Sequence, residues 1–95
     1  MRGMLSFLIL FLLSKSAMHG QQLADEMEKR KGIRPSPGTI YPALKELKEA
    51  GLILEEKKGK TIVYHLSKGG ERELKLAKQQ FCRTFVGVFV RGNEG

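Results

Sequence analysis

Ser36-Pro37-Gly38-Thr39-Ile40-Tyr41-Pro42-Ala43-Leu44-Lys45-Glu46-Leu47, running on to Glu49-Ala50-Gly51-Leu52-Ile53, is the stretch whose reading decides the fold. Ser36 suits an N-cap and Pro37 the first helical position, where a missing N–H leaves nothing unpaired. At about 100° per residue, Ile40, Ala43, Leu44, Leu47 and Ala50 share one face. Gly51 stops the helix. The opposite face holds Gly38, Pro42, Lys45 and Glu49, with Tyr41 and Lys48 on one flank. Pro42 is the irregular residue. It cannot donate to the carbonyl of Gly38, so either the first turn is distorted or the regular helix starts near Thr39.

Working outward, Leu23, Ala24 and Met27 fall at helical spacing between Gly20 and Lys31. Asp25, Glu26 and Glu28 precede Lys29, Arg30 and Lys31, the order that the helix dipole favours, and Gly32 suits the residue after the helix end. Downstream, Leu52-Ile53-Leu54 and Thr61-Ile62-Val63-Tyr64-His65-Leu66 flank Glu55-Glu56-Lys57-Lys58-Gly59-Lys60. The second arm is β-branched and aromatic, Ile62, Tyr64 and Leu66 alternate onto one face, and Gly59 permits a turn, so this piece predicts a β-hairpin.

The two ends are more apolar. From about Arg2 to Ser16 the chain is apolar almost all round, so a helix there needs cover on every side, and a second subunit is the expected cover. Ser67 is the expected N-cap of a last helix over about residues 68–90, where Leu74, Ala77, Phe81, Phe85, Val88 and Phe89 form a stripe. Arg91 to Gly95 is polar or glycine and is expected to fray. The predicted fold is mostly α with a small β-hairpin. Residues 1–66 make a winged helix-turn-helix, residues 67–90 a C-terminal dimerisation helix packed on the same domain, and residues 91–95 a tail.

A chain of 95 residues has room for one domain, and one so small gains much from an oligomer. Its 17 Lys and Arg against 10 Asp and Glu leave a net charge of +7, which favours a polyanionic partner because each phosphate contact releases counterions. Charge alone also fits a merely soluble basic protein, so the partner must be argued from placement. In a winged helix-turn-helix the third helix enters the major groove. Gly38, Tyr41, Pro42, Lys45 and Lys48 then look toward DNA. Ser36 and Thr39 sit at the helix start, where hydroxyls and free N–H groups suit phosphate. Lys57, Lys58 and Lys60 around Gly59 make a cationic tip suited to the backbone or minor groove. The plain alternatives are a packing role for Tyr41 and a solvated lysine cluster at the tip.

The stretch from Ser36 to Leu47, followed by Glu49-Ala50-Gly51-Leu52-Ile53, resembles the signature of PadR-type regulators. Met18-His19-Gly20 with Leu23 is similar to that family's His-Gly start to the second helix, and Tyr64, Leu66 and Ser67 to the close of its wing. The resemblance runs from about Leu5 to Leu74. It implies a transcription factor, usually a repressor, dimeric on a palindromic DNA operator. It also implies dimerisation through the first and last helices, placed here on Leu5, Leu8, Leu12, Phe81, Phe85 and Phe89. Some members release DNA when a small molecule binds. Gln21 stands where many relatives carry Tyr after His-Gly, and lysines replace an arginine-rich wing tip.

Other classes fit less well. His19 and His65 lie in different elements without a supporting cluster, so no metal or other cofactor is expected. No catalytic Ser-His-Asp set, phosphate loop or carboxylate pair stands out, so the chain is not expected to be an enzyme. Cys82 is the single cysteine, which excludes an intramolecular disulfide and reads as a core thiol. The apolar start looks like a secretory signal, but it is shorter than the roughly 20 residues needed to span a bilayer. Cleavage after Ala17 would also put Lys15 where a small residue is wanted. A cytoplasmic protein off the membrane is therefore expected. A winged-helix protein-interaction module without DNA binding is the competing class, and the lysines argue against it.

Overall fold

A computed structural model of the chain describes residues 4–79. The order is α1 (Met4–Lys15), β1 (Met18–His19), α2 (Gly20–Lys31), α3 (Pro37–Glu49), β2 (Ile53–Lys58) and β3 (Thr61–Leu66), then α4 over residues 68–79. The three strands form one antiparallel sheet in the order β1-β3-β2. This is the winged helix-turn-helix plan, with one addition. Met18 and His19 pair with Tyr64 and Val63, so the wing is the outer part of a three-stranded sheet and not a free two-stranded ribbon.

The core lies where α1, α2, α3 and the root of the sheet meet. Ile9, Leu12, Leu23, Ile40, Leu44, Leu47 and Ile53 are all but sealed from solvent. Each apolar side chain buried this way is worth about 1.5–3 kcal/mol against leaving it exposed, and this helps offset the chain entropy lost on folding. Along α3, Ile40, Leu44 and Leu47 point inward as their spacing predicts, whereas Ala50 lies exposed just past the helix end.

The helix ends are set by local chemistry. Leu52 N–H donates to the Leu47 carbonyl at 3.0 Å and Gly51 N–H to the Lys48 carbonyl at 2.9 Å. These two bonds, with Gly51 at φ 77°, are a Schellman closure of α3, and the buried Leu47 and Leu52 supply its apolar contact. Pro42 sits inside α3, which nonetheless runs unbroken from Pro37. The helix therefore has neither a late start nor a break, and the cost of Pro42 is one intrahelical bond, the one that its missing N–H would have given to the Gly38 carbonyl. The hairpin closes with Lys58 opposite Thr61, so Gly59-Lys60 is a two-residue loop. Gly59 has φ 62° and Lys60 is not at positive φ, as in a II′ turn whose first position calls for glycine.

The start of α4 is locked against the end of α3. Ser67 Oγ accepts from Gly70 N–H at 3.0 Å, the predicted N-cap, and donates to the Gly51 carbonyl at 2.6 Å. The backbones pass so close here that a Cβ on Gly70 would lie 2.0 Å from the Leu52 carbonyl oxygen.

The expectation for α1 needs correction in part. Ile9, Leu10, Leu12 and Leu13 are buried by their own chain, and Leu12 at 1% exposure offers no surface to a partner. The all-apolar composition hid which face the domain itself would cover. Leu5 and Leu8 are half-buried and border an apolar groove of about 340 Å³ with Met27, Ile33 and Pro35. Phe81, Phe85, Phe89 and Cys82 lie outside the described residues.

Candidate nucleic-acid interface

With Ile40, Leu44 and Leu47 turned inward, α3 exposes Gly38, Thr39, Tyr41, Pro42 and Lys45. Ser36 caps the helix by position (φ −73°, ψ 159°), but its hydroxyl makes no capping bond. It lies 3.1 Å from the Thr39 hydroxyl instead, while the Ser36 carbonyl accepts from the N–H groups of Thr39 and Ile40, each at 2.9 Å. Among the described residues, a Cβ on Gly38 would meet nothing nearer than Ser36 Oγ at 3.9 Å, so nothing there demands glycine.

Tyr41 is 45% exposed and lines an open groove of about 370 Å³. Lys60, Thr61 and Ile62 of the wing line the same groove, together with His19, Gly20, Gln21 and Tyr64. Helix α3, the start of α2 and the wing tip thus converge, although Gly20, Tyr41 and Lys60 are far apart in sequence. Burial pushes the Tyr64 phenol above its ordinary pKa, and Glu55 nearby adds to the rise, so it stays a neutral hydroxyl.

The predicted lysines fall into two groups. Lys48 Nζ sits 2.7 Å from Glu55 Oε1, an ion pair that bridges α3 to β2 and raises the ammonium pKa. Lys58 lies 3.7 Å from Glu56, which also holds His65 Nε2 at 2.7 Å. The hydrogen bond from His65, and then the charge of Lys58, hold the Glu56 carboxyl below the usual carboxylate range. Lys45, Lys57 and Lys60 form no ion pair among the described residues.

Two positions were not singled out as functional by the sequence. His19 caps α2: its Nδ1 accepts from Gln22 N–H at 3.2 Å while Gln22 Oε1 accepts from His19 N–H at 2.9 Å. The signal was present as a Gln three residues after the helix boundary, although a His cap is outside the usual set. Arg34 donates to Asp25 and lies 3.6 Å from Glu28, tying the loop before α3 back onto α2. That bond lowers the Asp25 pKa.

The model of the Transcriptional regulator PadR-like family matches residues 9–76, from the middle of α1 through most of the described part of α4. The chain belongs to the PadR-like family. It is 31% identical to the transcriptional regulator YqjI of Escherichia coli over 96% of its own length and 49% of that protein. The PadR-like chain thus spans about half the length of the curated relatives it matches. Among solved structures, a transcriptional regulator of Thermoplasma acidophilum is 32% identical with a TM-score of 0.74, covering 94% of this chain and 92% of that one. A PadR family regulator of Clostridium difficile shares the fold at a TM-score of 0.79 and 24% identity, over 98% of this chain and 100% of that one. No helix among the described residues of the PadR-like chain is long and apolar enough to cross a membrane.

Proposed function

We propose that this PadR-like chain is a sequence-specific DNA-binding transcriptional repressor, acting in the cytoplasm as a homodimer on a palindromic operator. The observation that carries the reading is the groove between α3 and the wing, lined by Tyr41 and by Lys60, which forms no ion pair among the described residues. Lys45 lies one helical turn beyond Tyr41, and Lys57 stands on the wing beside the tip. Duplex DNA fits this arrangement. Gly38, Tyr41, Pro42 and Lys45 enter the major groove, Ser36 and Thr39 approach phosphate at the helix start, and Lys57, Lys58 and Lys60 follow the backbone. Lys48 contributes to the field but is already engaged by Glu55. The open space at Gly38 leaves room for close approach of a partner.

The dimer is supported by the half-buried Leu5 and Leu8 and by the apolar groove that they border. A twofold pairing doubles the number of reading helices, so the operator is expected to consist of two inverted half-sites.

Selection of bound sites from random duplex DNA, with footprinting of the winner, tests the whole reading. A twofold-symmetric site supports DNA binding and the dimer together. Failure to enrich any sequence at low salt overturns the proposal, and an enriched but asymmetric site overturns the dimer alone.

A further inference from the structure

Gly20 is the first residue of α2 and is buried. Its backbone does not require glycine, since positive φ is confined to Gly32, Gly51 and Gly59 among the described residues. Alanine is a better helix former than glycine, so α2 by itself would favour alanine here. What the space around Gly20 excludes is a side chain, and the excluding group is Tyr41. A Cβ on Gly20 would stand 2.6 Å from Tyr41 Oη, 2.8 Å from Cζ and 2.9 Å from Cε1. The phenol of α3 rests on the bare backbone at the start of α2.

We propose that Gly20 is a positioning residue for DNA recognition: its missing side chain is the seat that holds the Tyr41 phenol in its place on the groove wall. The inference rests on the DNA-binding reading above. The kind of obstruction separates this glycine from Gly70. At Gly70 a Cβ would strike a backbone oxygen, so the fold itself must give way. At Gly20 it would strike the free end of a side chain that is 45% exposed. The ring can swing into the open groove toward Lys60 and Ile62 at little cost to the core. Adding one methyl group at Gly20 therefore displaces a DNA-facing group while leaving the domain folded, and stability and binding part company.

Gly20→Ala tests this with three readouts. The melting temperature should hold or rise. The Tyr41 ring resonances should move, with Tyr64, the other of the chain's two tyrosines, as the internal reference. Affinity for the selected duplex should fall about fivefold or more, the scale of removing one hydrogen bond to the DNA. In a Tyr41→Ala background, where no ring remains to displace, Gly20→Ala should leave affinity unchanged. An equal loss in both backgrounds overturns the inference, because the effect would then belong to the α2 backbone. So does a Tyr41 ring that does not move, or a lowered melting temperature that accounts for the weaker binding. A wild type that binds duplex and a Gly20→Ala variant that binds it equally well overturn this inference alone, whereas a wild type that enriches no duplex overturns the DNA-binding reading with it.

Discussion

Helix α3 and the wing face each other across one groove on supports of unlike stiffness. Under α3 lie Ile40, Leu44 and Leu47, each no more than 2% exposed. Along β2 only Ile53 is buried, and every residue from Leu54 to Lys60 is exposed. A side chain on α3 therefore has a fixed starting point, which geometric reading of a base edge requires. A lysine at the wing tip has reach without registration. It can meet a phosphate in many positions and carries little information about sequence. The cations differ in the same sense: Lys48 is tied to Glu55, whereas Lys57 and Lys60 have no such partner among the described residues.

The largest expected effect removes the support under α3. Leu47→Ala should cost about 2–5 kcal/mol of stability, since a fully buried leucine leaves a cavity that the surroundings only partly fill. A shift in denaturation midpoint equivalent to less than about 1 kcal/mol would mean that α3 is not seated as described. Next comes the wing. Replacing Lys57, Lys58 and Lys60 together with alanine should weaken all duplexes alike. It should also flatten the plot of log affinity against log salt by about 0.9 for each phosphate that is no longer neutralised. An unchanged slope takes the wing off the DNA and ends the contrast.

On the stiff side, Lys45→Ala separates reading from anchoring. A lysine that reads guanine should cost about 1–3 kcal/mol on the preferred site and relax one base position per half-site. A lysine that meets phosphate should weaken all sites together. The phosphate role is expected, because about half to two-thirds of protein–DNA hydrogen bonds go to the backbone and sugar. Tyr41→Phe should fold normally and lose about 1 kcal/mol of binding. If both variants bind the selected operator like wild type, α3 is not the reading head.

The smallest effect is an acid one on the wing. Glu56 is held below its ordinary value of 4.5 by His65 and then Lys58. A depressed carboxylate stabilises the fold above its unfolded pKa, and that contribution is lost as pH falls through the lower folded value. The gap in melting temperature between wild type and Glu56→Gln should therefore close as pH is taken below 4.5. A gap that persists there would show that the Glu56 cluster adds nothing through its charge.

Local chemistry is what the sequence showed most clearly. Ser67 as a cap, Gly51 as a stop and Gly59 in the turn each follow from a few neighbouring residues, and all three stand in the structure. The inward face of α3 was legible because four residues repeat at helical spacing, Ile40, Ala43, Leu44 and Leu47. Pairings between distant segments were not legible. Two residues cannot display a period of two, so Met18-His19 gave no sign of being a strand. Lys48 read as a free DNA-facing cation because nothing local announces Glu55 across the fold. The same holds for Tyr41, whose packing against Gly20 couples residues in different helices, and for Leu12, whose burial by its own chain is a matter of tertiary arrangement. Helical phase alone decides which side of α3 is exposed, and Gly38, Tyr41, Pro42 and Lys45 lie on that side.

The pairing of β1 with β3 has a mechanical consequence. At Val63 and Tyr64 the central strand is flanked on both sides, but toward the tip, at Ile62 and Thr61, β2 is its one neighbour. The wing is thus a cantilever clamped at its root. Amide hydrogen exchange should rise along β3 from that clamp toward Gly59, in a graded profile and not an all-or-none one. A long polyanion resting on the tip would bend the outer ladder before disturbing the root, so the lysines can track an uneven phosphate contour while Tyr64 stays still.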